Sequence, residues 1–268
     1  MNKSKINHFK QGPRLVRDRL QGKVFLVPAL VTVTGIFCGF LAILSAIKGD
    51  FDYAAKCVAL AMLLDGLDGR VARRLNATSE FGRELDSLSD VVAFGAAPAV
   101  VSYIWAFREV APDFGILVSF LFVACGALRL ARFNVTPSDK ANAYFEGLPI
   151  PAAAAAFMSV VFWHPQPVQS VFSVSLIICY SILLSILMVS TFPYMSVKKT
   201  KLTQAQPRRA LALVALLVAL VWYHSRSAIF LLTLSFALSG PIAAIYRKIT
   251  GKPFTPNIDE AVKTDKAS

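Results

Sequence analysis

Residues 170–192 read SVFSVSLIICYSILLSILMVSTF, without one charged side chain. A run of about 20 apolar residues is what a helix needs to cross the hydrocarbon core of a bilayer. The run lacks the alternation of apolar and polar positions that a barrel strand requires, so it reads as a helix. Comparable runs lie on both sides of it, at 24–47, 53–64 with continuation to 74, 86–107, 114–134, 149–163, 210–223 and 227–246. The expectation is an all-α, polytopic transmembrane bundle of about eight spans. The fifth is short, opened by Pro149 and Pro151 and closed by Pro165. The last two are separated only by Tyr223 to Ser227, so they also read as one re-entrant hairpin.

Composition agrees. Of 268 residues, 56% are hydrophobic and 16% charged, and the mean hydropathy is +0.57. A soluble domain usually carries about 25% charged residues. Disorder, a collagen-like chain and an ordinary soluble enzyme are excluded. The net charge of +12 reads as a topology and lipid-surface signal, with membrane lipids as partners and no nucleic acid. Cys38, Cys57, Cys125 and Cys179 are scattered through apolar runs without a CxxC, and read as packing residues. Met1–Lys23 is polar and basic before any apolar run begins, which does not read as a cleavable signal peptide.

The basic residues sort by loop. Lys3, Lys5, Lys10, Arg14, Arg17, Arg19 and Lys23 precede the first span. Arg70, Arg73, Arg74 and Arg83 lie between the second and third, Arg129, Arg132 and Lys140 between the fourth and fifth. Lys198, Lys199, Lys201, Arg208 and Arg209 lie between the sixth and seventh, and Arg247, Lys248, Lys252, Lys263 and Lys266 follow the last. The alternate loops hold only Lys48, Arg108 and Arg226. This asymmetry predicts both termini in the cytoplasm. Residues 1–23 form a basic arm, either an interfacial helix on anionic lipid or a solvated tail. Residues 24–192 form the expected core, 193–250 contribute two additional helices, and 251–268 are a polar tail.

Acids within membrane segments are costly and are functional candidates. Asp65 and Asp68 are spaced i,i+3, and Asp86 and Asp90 i,i+4, so each pair shares a helical face. Asn76 to Ser79 interrupts the apolar pattern and allows a turn, so the two pairs converge in an antiparallel hairpin. Four converging carboxylates repel unless cations intervene. Hard divalent ions, Mg²⁺ or Mn²⁺, suit such oxygens, and two of them can serve an in-line phosphoryl displacement. Gly66, Gly69, Ala72, Gly82, Ser87 and Ser89 lie among the acids and permit close approach of a ligand or a helix. The bland alternative pairs the acids with Arg70, Arg73 and Arg83 in salt bridges at the cytoplasmic helix ends.

Asp65-x-x-Asp68-Gly69-x-x-Ala72-Arg73, then eight residues, then Gly82-x-x-x-Asp86-x-x-x-Asp90 resembles the signature of the CDP-alcohol phosphotransferase family. The resemblance implies that Asp65, Asp68 and Asp86 bind two metal ions. Asp90 would stand at the second ion and serve as general base. It implies that Gly69 and Arg73 contact the CDP part of the donor. Ser79 stands where the family often has a small hydroxyl residue, and otherwise reads as a turn residue or helix cap. The family's first helix begins Pro-Asn. Here Pro28-Ala29-Leu30-Val31-Thr32 lacks the Asn, leaving Thr32 and the backbone as donor contacts. Homodimers are common in the family.

Arg129-Leu130-Ala131-Arg132-Phe133-Asn134, Phe145 to Pro151 and Ile36 to Phe40 are similar to its membrane-embedded phosphatidylserine synthase branch. That resemblance covers roughly residues 24–190. It implies a bacterial inner-membrane enzyme that uses CDP-diacylglycerol and L-serine. Arg129 and Arg132, spaced i,i+3, suit two-point binding of the serine carboxylate. They also suit topology anchoring or the donor phosphates. Asn134 reads as a helix cap and Glu146 as a solvated loop acid. His8, His164 and His224 lack metal-ligand partners. Two other readings stay open: another acceptor, such as glycerol 3-phosphate or an inositol phosphate, and a divalent-cation transporter with acids along a pathway.

Overall fold

The computed structural model describes residues 12–74, 80–135, 144–195 and 225–250, with side chains omitted at 12–28, 68–74, 144–146, 193, 195, 225, 247 and 248. These residues form helices α1 (Gly12–Ile47), α2 (Phe51–Arg74), α3 (Glu80–Phe107), α4 (Pro112–Val135), α5 (Ile150–Trp163), α6 (Val171–Val189) and α7 (Ser225–Thr250). Two short strands, β1 (Tyr144–Glu146) and β2 (Pro193–Met195), pair antiparallel, with Phe145 opposite Tyr194.

Five of the described helices are long and apolar enough to cross a membrane: Ala29–Ile47 within α1, α3, α4, α6 and Arg226–Tyr246 within α7. Among the described residues the expected count of about eight is not confirmed. Helix α5 has 14 residues, about 21 Å at 1.5 Å per residue, against a hydrocarbon core of about 30 Å. Helix α2 has the length, but it carries Asp52, Lys56, Asp65, Asp68, Arg70, Arg73 and Arg74 and is not among those five. The expected segment 210–223 lies outside the described residues, as does the tail after Thr250. Much of the basic arm is not a separate element. From Gly12 onward it is the beginning of α1, whose 36 residues extend about 54 Å and so exceed the bilayer core.

Small side chains let α1 and α2 pack closely: Ala42, Ala46, Ala54 and Ala61 are fully enclosed between neighbours. On its other face α1 turns Val33, Phe37, Phe40, Leu44 and Ile47 outward, spaced three and four apart, as a lipid-facing stripe does. Gly39 marks a close approach of α1 to α3. A Cβ there would stand 2.8 Å from the Ala93 Cα. Large residues fill the centre, with Phe122 and Phe157 edge to face at 6.0 Å. Trp105 donates its indole N–H to the carbonyls of His164 (3.0 Å) and Gln166 (2.8 Å), closing the end of the bundle where α5 stops.

Helix α3 is not uniform. Directly after Asp90, residues Val91–Ala96 widen into a π-helix, and Tyr103–Phe107 do so again. The first widening has a visible cause. Pro98 has no N–H to offer the Phe94 carbonyl, and its ring crowds the turn before it. The chain responds by bonding five residues back, Ala97 N–H to the Val92 carbonyl.

Candidate active site

Asp65 comes from the second half of α2, and Asp86 and Asp90 from the first turns of α3. Both helices pack against α1. Each of the three acids offers a carboxylate oxygen, and all three oxygens lie within 4.8 Å of one another, with every side chain half-buried. Opposite ligands on a Mg²⁺ octahedron stand about 4.2 Å apart, so small rotations close this set around one ion. Three carboxylates this close together favour positive charge beside them, and all-oxygen donors suit a hard cation. The donor set therefore fits a divalent metal. Asp68 lies one turn beyond Asp65 on α2, as its spacing requires, but its side chain is outside those described. Gly69 follows it in the helix, the Arg73 side chain is likewise outside those described, and Ser79 lies in the undescribed segment 75–79.

Of the arginines in the salt-bridge alternative, Arg83 is described with its side chain. Arg83 pairs with its neighbour Glu84 at 3.8 Å in an exposed position. Arg70 and Arg73 are not described at the side-chain level. The other described acids sit at helix ends, such as Asp50 and Asp52 before and in the first turn of α2 and Asp113 in the first turn of α4. They do not form a trail through the bundle.

Two hydrogen bonds hold α3 in register beside the acids. The Ser89 hydroxyl donates to the Thr32 carbonyl at 3.2 Å, tying Asp90's neighbour to α1. Thr32 is buried, and its main chain holds α3 at this contact. Asn134 donates its side-chain amide to the Ser87 hydroxyl at 2.9 Å, and Ser87 donates in turn to the Arg83 carbonyl at 3.1 Å. Asn134 was expected to cap its helix; its amide instead bridges α4 to α3 across the site. Spacing gave no sign of these pairs, because each joins positions 47 or 57 residues apart.

Arg129 and Arg132 rise from the last turns of α4. Arg129 lies within electrostatic reach of Asp90 and Arg132. Its Nε is buried without a hydrogen-bond partner among the described residues. A buried guanidinium N–H costs free energy unless something accepts it, so this donor suits an anionic ligand group. Arg132 reaches the Val189 carbonyl at the end of α6, at 3.4 Å. The cysteines are unpaired, Cys38 and Cys57 buried as packing residues. His164 ends α5 and lies away from the acids; His8 and His224 are outside the described residues.

The chain matches the family model described as CDP-alcohol phosphatidyltransferase over residues 25–187. It is 41% identical over 179 residues to a Helicobacter pylori (strain ATCC 700392 / 26695) protein named CDP-diacylglycerol--serine O-phosphatidyltransferase, covering 66% of this chain and 75% of that one. A Bacillus subtilis (strain 168) protein of the same name is 38% identical over 138 residues, 52% of this chain and 76% of that one. An archaetidylserine synthase of Methanothermobacter thermautotrophicus is 38% identical over 185 residues, 67% and 74% of the two chains.

Proposed function

This chain belongs to the CDP-alcohol phosphatidyltransferase family, and from that premise we propose that it transfers the phosphatidyl group of CDP-diacylglycerol to the hydroxyl of L-serine, giving phosphatidylserine and CMP. The observation that carries the reading is the meeting of Asp65, Asp86 and Asp90 at one point with the Arg129 guanidinium near Asp90. Serine occurs in the names of relatives whose lipid portions differ, which supports it over glycerol 3-phosphate or an inositol phosphate.

In this mechanism the donor's acyl chains stay in the bilayer, and its cytidine head lies near Gly69, Arg73, Ser79 and Thr32. Two divalent ions, Mg²⁺ or Mn²⁺, held by Asp65, Asp68, Asp86 and Asp90, would offset the charge that grows on the diphosphate. Arg129 and Arg132 hold the serine carboxylate and so aim its hydroxyl at the phosphorus that carries diacylglycerol. The Asp90 carboxylate takes the hydroxyl proton. The serine oxygen bonds to that phosphorus, the phosphorus–oxygen bond to CMP breaks, and CMP leaves with the electron pair. Asp90 is half-buried, which limits its contact with bulk water. In this reading the two arginines would compensate charge on the bound acceptor.

The reading extends to placement. The basic loops put the site and both termini in the cytoplasm, in a bacterial inner membrane, with eight spans once 53–74, 149–163 and 210–223 are counted. The catalytic core runs over 24–192, flanked by the basic arm, the C-terminal helices of 193–250 and the polar tail. The working form is a homodimer. The test is purified protein with CDP-diacylglycerol, labelled serine and Mn²⁺ or Mg²⁺. Serine-dependent release of CMP with label in the lipid is expected. CMP release that ignores serine but follows another alcohol would overturn the acceptor assignment.

A further inference from the structure

Helix α7 carries a proline in its interior, Pro241. In a regular helix the N–H of residue 241 would bond to the carbonyl of residue 237, and proline has no N–H to give. The Ala237 carbonyl is nevertheless satisfied. The Tyr194 hydroxyl, from strand β2, donates to it at 2.9 Å. Room for the ring comes from Gly240, where a Cβ would stand 2.4 Å from the Tyr194 Cζ. Phe236 lies against the ring at 6.0 Å between centroids. Tyr194 is fully buried in this notch, and burial pushes its hydroxyl up to about 12, so it stays a donor at any physiological pH.

The other end of the connection reaches Arg132. Strand β2 follows the end of α6 and pairs with β1, which follows α4 through residues 136–143. The junction is tightly stitched. Gly147 donates to the Phe192 carbonyl (3.0 Å) and Leu148 to the Leu187 carbonyl (2.9 Å). Gly147 has φ +76, and a Cβ there would stand 2.5 Å from the Met188 carbonyl oxygen. The carbonyl that Arg132 meets belongs to Val189, in the same turn of α6. Meanwhile α7 is fastened to the body of the bundle independently, by Arg226 to Asp52 (3.0 Å) and Thr233 to Ser159 (2.9 Å).

We propose that Tyr194, keyed into the Ala237–Gly240–Pro241 notch, is a positioning residue for the acceptor: it fixes the end of α6 against α7 and thereby the placement of Arg132. This rests on the reading that Arg132 serves the acceptor. Helix α7 then has a task beyond spanning the bilayer, as the fixed wall against which the acceptor side of the site is set.

The test uses the full chain in proteoliposomes. Tyr194→Phe keeps the ring and removes the donor, leaving the Ala237 carbonyl unsatisfied. The acceptor KM is expected to rise about fivefold or more, with donor KM and kcat changed less than about twofold. The double variant Tyr194→Phe/Pro241→Ala restores a backbone N–H for Ala237 without restoring the tether. Its melting temperature is expected to return towards the parent's while the acceptor KM stays raised. An acceptor KM that recovers together with the melting temperature overturns the inference, because the phenol then only satisfies a carbonyl. So does an unmoved acceptor KM in Tyr194→Phe. Loss of folding in both variants would make the phenol a general folding element and overturn it equally. A parent enzyme that ignores serine but uses another alcohol refutes the serine reading alone, and the same comparison is then made on that alcohol's KM.

Discussion

Replacing Gly39 by Ala tests whether the crossing of α1 and α3 sets the geometry of the acids. The added Cβ would stand 2.8 Å from the Ala93 Cα, 3.2 Å from its Cβ and 3.3 Å from its N. Ordinary contact begins at 3.4 Å, so one helix must retreat by about 0.6 Å, and the obstructing atoms are backbone with no rotamer to change. Overpacking of this kind costs about 1–3 kcal/mol. Ala93 lies three residues past Asp90 in the π-helical turn, so the retreat is passed to Asp90 and strains the Ser89–Thr32 hydrogen bond. Misplacing reacting groups by about 1 Å can cost 10²-fold, so roughly tenfold is expected here in the initial rate of CMP release, with a lower melting temperature. Gly66→Ala is the steric control, because no atom lies within 4 Å of a Cβ there. It should hold or raise the melting temperature, since Ala is the better helix former. A Gly39→Ala protein with the parent's rate and melting temperature would refute the reasoning. A lowered melting temperature with an intact rate would refute its second half, the link from helix crossing to the acids.

Other consequences are open to measurement. Asp86→Asn, which removes one of three clustered oxygens, should weaken Mn²⁺ binding by calorimetry and slow turnover on the order of 10²-fold or more; full turnover at saturating Mn²⁺ would count against a metal role. Asp90→Asn should keep donor binding, since the remaining acids still hold metal, while the rate collapses because the amide cannot accept the serine proton. Loss of donor binding in that variant would assign Asp90 to metal holding alone. A cysteine at position 77, in a protein lacking the native four, should react with a membrane-impermeant maleimide in inside-out vesicles only. Labelling from the outer face alone would invert the orientation derived from the basic loops.

The meeting of three acids was legible in the sequence. Asp65, Asp86 and Asp90 meet as their spacing implies, because helical periodicity is local and the two helices that carry them are adjacent in sequence. The bonds that steady them were not legible. Ser89 with Thr32 and Asn134 with Ser87 join residues distant in sequence, and both Ser89 and Asn134 had ordinary local readings. Among the described residues only five helices are apolar enough to stand as spans, for a related reason. Apolar composition marks a segment that avoids water, yet α2 is charged at both ends and α5 is shortened by Pro149 and by its stop at His164.

By itself the sequence determined that this is a helical membrane protein with an acidic hairpin, since hydropathy and helical spacing are properties of neighbouring residues. It also contained half of the Tyr194 contact: Pro241 in a helical run announces an Ala237 carbonyl in need of a donor. Only the tertiary structure decided which donor arrives. It also decided that α3 widens beside Pro98, and that Arg129 shares the neighbourhood of Asp90. These outcomes depend on how whole helices pack, and packing is settled by the summed fit of many side chains, which no local pattern specifies.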